Sequence, residues 1–264
     1  MSHLLSSEFL NPSPSGPLAL SGARWGVVLL HGFTAGPSSV LPWGEALASA
    51  GAAVSIPLLP GHGTQVSDLA QTRAGAWRRH VQQSLDHLLD QDYDRIAVGG
   101  LSLGGALALD AAAHRAINAI FVVNPALSFK PLDKLGASLS PLLQGLIPTV
   151  GPLAGDIKKP GVIEVAYNRT PVPAVEELAK LFRTVRRQLG AVKSPVTLYQ
   201  STVDHIVPAS SARILHRRLD PGILRTVLLE NSYHVATLDY DAPTIHQDSI
   251  ATLLGHSGTP HVQN

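Results

Sequence analysis

The chain has 264 residues, a formal net charge of +1 and no cysteine. Its length supports a sizeable apolar core in one α/β unit. The near-zero charge gives no electrostatic reason to expect a nucleic-acid partner, no cysteine means no disulfide framework, and no run reaches the ~20 apolar residues of a membrane span.

Met1-Ser2-His3-Leu4-Leu5 lacks the positive region and sustained apolar stretch of a secretory signal, so a soluble cytoplasmic chain is expected. Ser13-Pro14-Ser15-Gly16-Pro17 reads as a turn between short edge strands. Trp25 to Leu30 is an apolar run suited to a buried strand, and His31-Gly32-Phe33-Thr34 forms the loop after it. A helix from Pro37 to Ala50, a strand from Ala52 to Ile56 and a helix from Ala74 to Leu89 follow. Gly61-His62-Gly63 runs into Thr64-Gln65-Val66 rather than the remaining glycine of a dinucleotide fingerprint.

The next stretch carries the chemistry. Arg95 to Gly99 suits a buried parallel strand, and the alanine- and leucine-rich stretch from Leu103 to His114 is strongly helix-forming. Between them Gly100-Leu101-Ser102-Leu103-Gly104 is a G-x-S-x-G pattern in the strand–turn–helix context of a nucleophile elbow. Such a turn lifts the serine hydroxyl clear of the sheet, and the following helix points its N-terminal dipole at developing negative charge. Two backbone N–H groups then form an oxyanion hole. One is expected from Leu103, after the nucleophile, and the other from Phe33 in the early loop.

A serine needs a base and a residue to orient that base. After a strand from Ala119 to Val123, the alternation of strand and helix is interrupted by an insertion of about residues 126–192. Leu135 to Gly155 is apolar and broken by glycine and proline, which suits a mobile cap lining an acyl pocket. Val175, Leu178, Leu181, Phe182, Val185 and Leu189 form a helical stripe, and Arg183, Arg186 and Arg187 its solvated face. The strand from Pro195 to Gln200 leads to Asp204, and a helix spans Ala209 to Leu219. The strand from Arg225 to Leu229 leads to His234, and a helix from Pro243 to Leu254 is capped by Asp239 or Asp241. The order Ser102, Asp204, His234, each residue following a strand, is that of α/β-hydrolases. The alternation predicts a mostly parallel sheet flanked by helices, with a small cap inserted after the sixth strand and the whole chain, 1–264, forming one domain.

The segments VVLLHGFTAGPSS, LPGHGT, GLSLGG, DIKKPGVIEVAYNRTP, DHIVP and NSYHVATLDYDAP are similar to those of bacterial monoacylglycerol lipases and small bacterial carboxylesterases of the α/β-hydrolase fold. The resemblance spans most of the chain and implies a triad of Ser102, Asp204 and His234 with the Phe33 and Leu103 amides as oxyanion hole. It also implies that Glu164 binds the glycerol hydroxyls and that Leu153 touches substrate. The elbow has Leu103 where the family often has methionine. The expected substrate is a small lipid ester, with transient contact to lipid surfaces. No H-E-x-x-H or comparable spacing marks a metal, and no cofactor is expected. A general carboxylesterase, a thioesterase or acyltransferase using the same triad, and an idle binding protein on the same fold are the alternatives.

Overall fold

The computed structural model describes residues 6–130 and 149–255. The strands come in the order β1 (Glu8–Leu10), β2 (Trp25–Leu30), β3 (Ala53–Ile56), β4 (Arg95–Leu101) and β5 (Ala119–Val123), then β8 (Val196–Ser201) and β9 (Leu224–Leu229). These seven form one sheet in the spatial order β1-β3-β2-β4-β5-β8-β9. Every pairing is parallel except that of β1 with β3. A short antiparallel pair, β6 (Thr149–Val150) with β7 (Thr170–Pro171), lies between β5 and β8 in the chain.

Alternation along the central strands builds two cores, because successive side chains point to opposite faces. Val28 and Leu30 of β2, Ile96 and Val98 of β4, and Ile120 and Val122 of β5 enter one apolar cluster. Val27 and Leu29, Ala97 and Leu101, and Phe121 and Val123 enter the other. Strands buried on both faces read as continuous apolar runs, which is why β2 and β5 stand out in the sequence. The second core is covered by α1 (Pro17–Leu20), α2 (Leu41–Ser49) and α8 (Ala242–Leu253) through Leu18, Trp43, Leu47, Ile245 and Leu253. The first is covered by α3 (Val66–Gln71), α4 (Ala74–Leu89), α5 (Leu103–Ala112), α6 (Val172–Gln188) and α7 (Ser210–Arg218). All ten residues of α5 are buried, since the helix is held between the sheet and α4 and α6.

The structure changes four details of the sequence reading. The insertion follows β5, the fifth strand in chain order rather than the sixth. Pro17 starts α1 instead of a second edge strand; its fixed φ suits a first helical turn, and its missing N–H bars it from a ladder. The stripe from Leu178 to Val185 does not face a cap interior: α6 packs on α5, in the crossover between β5 and β8, and these side chains join the first core. Arg183 and Arg187 are exposed, but Arg186 is half-buried and donates to the Leu127 carbonyl at 2.6 Å. Most of the apolar stretch from Leu135 to Gly155 lies outside the described residues. No helix among the described residues is long and apolar enough to cross a membrane.

Candidate functional site

Five neighbouring strands, β2, β4, β5, β8 and β9, end on the same edge of the sheet, and the loops leaving them carry the site. Three non-glycine residues among those described have positive φ: Thr34 (64°), Ser102 (54°) and Asn124 (44°). They lie just after β2, β4 and β5, so the strained backbone is confined to this edge. At the elbow, Ser102 N–H donates to Val123 O at 3.0 Å, and Ser102 O accepts from Ala106 and Ala126 at 3.1 Å. The flanking glycines make the turn sterically feasible: a Cβ on Gly104 would lie 2.1 Å from Leu30 O, and one on Gly100 would lie 2.4 Å from Gly104 C.

Leu103 is the first residue of α5, so its N–H is one of the orphan donors at a helix start. The Phe33 N–H makes no hydrogen bond to a described residue. Its loop is fixed from behind. Thr34 O accepts from Tyr167 N at 2.9 Å, and the Tyr167 hydroxyl donates to Gly61 O at 3.0 Å. The His31 ring donates from Nδ1 to Gly32 O and accepts at Nε2 from Leu59 N at 3.0 Å, while the His62 ring packs edge-on against Phe33.

These two rings set an acid limit on the fold. Burial, reinforced by the nearby His62, lowers His31 to about 3 from 6.5. Burial likewise lowers His62 to about 4. Below pH ~6.5 the unfolded chain protonates both rings, while the folded protein resists until far lower pH. The unfolded state therefore binds more protons in that window, and stability falls with pH by on the order of 2 kcal/mol per ring at pH 5. Urea denaturation at pH 7.5 and pH 5 measures this; equal midpoints at the two pH values would contradict it.

Asp204 and His234 meet as the chain order implied. Asp204 Oδ1 accepts from the Ile206 and Val207 amides at 2.8 and 2.7 Å, and Oδ2 lies 2.8 Å from His234 Nδ1. A carboxylate only accepts here, so Nδ1 carries the proton and Nε2 keeps its lone pair. Ser102 and His234 are both buried. The Ser102 hydroxyl makes no hydrogen bond to a described residue. Glu164 is buried and accepts from Gly155 N at 2.9 Å through Oε2. Burial raises its pKa, opposed by that amide and by the charge of His234. Leu153 is half-buried against the cluster that contains Phe33 and Leu103.

Four residues to which the sequence analysis gave no role in the site hold these loops. Asn124 donates from Nδ2 to His234 O at 2.9 Å and accepts from Ser201 N at 2.8 Å. Tyr167 ties the cap to the Phe33 loop, as above. Asp156 accepts from the His234 and His205 amides. Asp239 does not cap α8: its carboxylate accepts from the amides of Lys158, Lys159, Tyr233 and Tyr240. Asp241 occupies the N-cap position, but its carboxylate turns back to Asn231. Asp239 missed its expected role because four unpaired loop amides compete for it more strongly than one helix end.

The profile of the family described as serine aminopeptidase, S33, matches residues 21–241. A thermostable monoacylglycerol lipase of Bacillus sp. (strain H-257) is 35% identical over 96% of this chain and all of its own length. A carboxylesterase of Bacillus subtilis (strain 168) is 27% identical over 88% of this chain and 93% of its own. The structure of one of the metagenome-derived lipolytic enzymes LipS and LipT superposes with a TM-score of 0.86 at 31% identity, covering 96% of this chain and 98% of its own. The resemblance drawn from the motifs and the α/β-hydrolase architecture are both borne out, and the chain belongs to the serine aminopeptidase, S33 family of hydrolases.

Proposed function

We propose that this protein hydrolyses carboxylic esters of medium- and long-chain acids, monoacylglycerols foremost, through an acyl intermediate on Ser102. The observation that carries the reading is the 2.8 Å contact of Asp204 with His234 Nδ1, which leaves Nε2 as a base on the edge where Ser102 sits strained. His234 takes the serine proton as the hydroxyl attacks the ester carbonyl, and Asp204 holds the tautomer and stabilises the imidazolium. The Phe33 and Leu103 amides stabilise the oxyanion, His234 returns the proton to the leaving alcohol, and water repeats the cycle on the acyl-enzyme. No cofactor or metal enters these steps.

Glu164 and Leu153 supply the selectivity. One Glu164 oxygen is held by Gly155, and the other makes no hydrogen bond to a described residue, which leaves an acceptor for a glycerol hydroxyl close to the base. A second acyl chain placed there would bury that carboxylate without a partner. The described part of the cap between β5 and α6, residues 149–171, lies on the acyl side, as an insertion within a single-domain chain. Ile163, 83% exposed beside Glu164, supports brief contact with lipid surfaces from a soluble, cytoplasmic protein.

The test is kcat/KM on monolaurin, dilaurin and methyl laurate. A strong preference for monolaurin over both is expected. Equal values on monolaurin and methyl laurate would instead make the protein a general carboxylesterase, the activity named for its 27% identical relative. Glu164→Gln is expected to lower kcat/KM on monolaurin by about 10-fold, the worth of one hydrogen bond to a charged group, and to spare methyl laurate. Equal losses on both would leave Glu164 a purely structural residue.

A further inference from the structure

Residues 155–159 cross the loops that follow β8 and β9. Asp156 is the centre of that crossing. Its Oδ2 accepts from His234 N at 3.1 Å and from His205 N at 3.0 Å, and its Oδ1 lies 2.8 Å from His205 Nδ1. Its backbone carbonyl accepts from Val235 N at 3.0 Å. One residue therefore binds the main chain on both sides of the His234 side chain and the residue that follows Asp204. The neighbouring Lys158 and Lys159 amides reach Asp239, which also holds Tyr233 N. The base is thus bracketed, with Tyr233 fixed by Asp239 and residues 234 and 235 by Asp156.

We propose that Asp156 is a positioning residue, a strut from the base of the cap that keeps His234 in register with Asp204 and Ser102. The proposal rests on the triad reading above. Asp156 touches neither substrate nor reacting atoms and acts through the His234 main chain. Its side chain is only 12% exposed, so the carboxylate depends on these three N–H donors in place of water. Asparagine has the same shape but one acceptor oxygen. With that oxygen at the Oδ2 place it keeps both amides and sets its NH₂ only against His205 Nδ1, whose ring can accept as the other tautomer, so asparagine preserves the strut; alanine removes the acceptor of the His234 and His205 N–H groups together. An imidazole shifted by about 1 Å loses on the order of 10²-fold in rate.

The experiment is burst kinetics of the full chain with p-nitrophenyl butyrate, which counts working sites separately from their rate. Asp156→Ala is expected to keep the burst amplitude per folded chain and to leave KM within about threefold. Its acylation rate per site should fall by about 10- to 100-fold, while Asp156→Asn, which keeps an oxygen for both amides, should restore the rate to within about threefold of wild type. An unchanged rate per site in Asp156→Ala, a loss of amplitude with the rate unmoved, or no recovery in a folded Asp156→Asn would overturn the proposal. Asp156→Ser, which shortens the strut, is read in the same way if the alanine variant does not fold. If neither folds, Asp156 is a folding determinant and the proposal fails. Wild-type protein without any burst would instead count against the acyl-serine reading itself.

Discussion

Replacing Ser102 with alanine is expected to lower kcat on any accepted ester by on the order of 10⁴- to 10⁶-fold while leaving the fold intact. The hydroxyl makes no hydrogen bond to a described residue, so removing it leaves no buried partner unsatisfied. The alanine also inherits the strained φ of 54°, which the hydrogen bonds of Val123, Ala106 and Ala126 continue to impose. Alanine tolerates that region no worse than serine, so stability should move little. Residual catalysis would come from the Phe33 and Leu103 amides and from binding alone. The measurement is kcat together with a thermal melt. Near-normal turnover by a folded alanine variant would remove the serine mechanism.

Asp204→Asn should cost about 10⁴-fold in kcat, and the surrounding bonds give the reason. Asp204 Oδ1 accepts from two amides, those of Ile206 and Val207. An asparagine must keep its oxygen there, since turning it would set an NH₂ group against two N–H donors. Its NH₂ then faces His234 Nδ1 and donates, so the ring must accept at Nδ1 and carry its proton on Nε2. The base is lost through the wrong tautomer, with every heavy atom almost in place. The loss should shrink at high pH if hydroxide can replace the base. A variant with more than about a tenth of wild-type kcat would show that His234 is oriented by something other than Asp204.

Much of this site was legible in the sequence because its parts are local. A strand, a glycine-flanked serine and an alanine-rich helix need no partner elsewhere in the chain to be recognised, and α4 and β2 run over the predicted residues. Asp204 and His234 were legible because parallel strands deliver their C-terminal loops to one edge. What escaped was whatever depends on which loops become neighbours. The bracing roles of Asn124, Asp156, Tyr167 and Asp239 arise only once the order β4-β5-β8-β9 brings their loops together, even though three of them lie in the quoted segments. Their hydrogen bonds join residues 49 to 133 positions apart or, for Asp239 with Tyr233 and Tyr240, lie within a loop of no regular period. The stripe on α6 was legible as a helix but not as part of the core, because periodicity gives a face and not what covers it.

The most direct test of the account is covalent labelling with a fluorophosphonate, which reacts with an activated serine and stops at the oxyanion stage. The account predicts one adduct per chain, located by mass spectrometry on the peptide containing Ser102. Ester turnover should be lost in step with labelling, and labelling should slow sharply in Asp204→Asn. An adduct on another residue, or full ester turnover by the completely labelled protein, would contradict it.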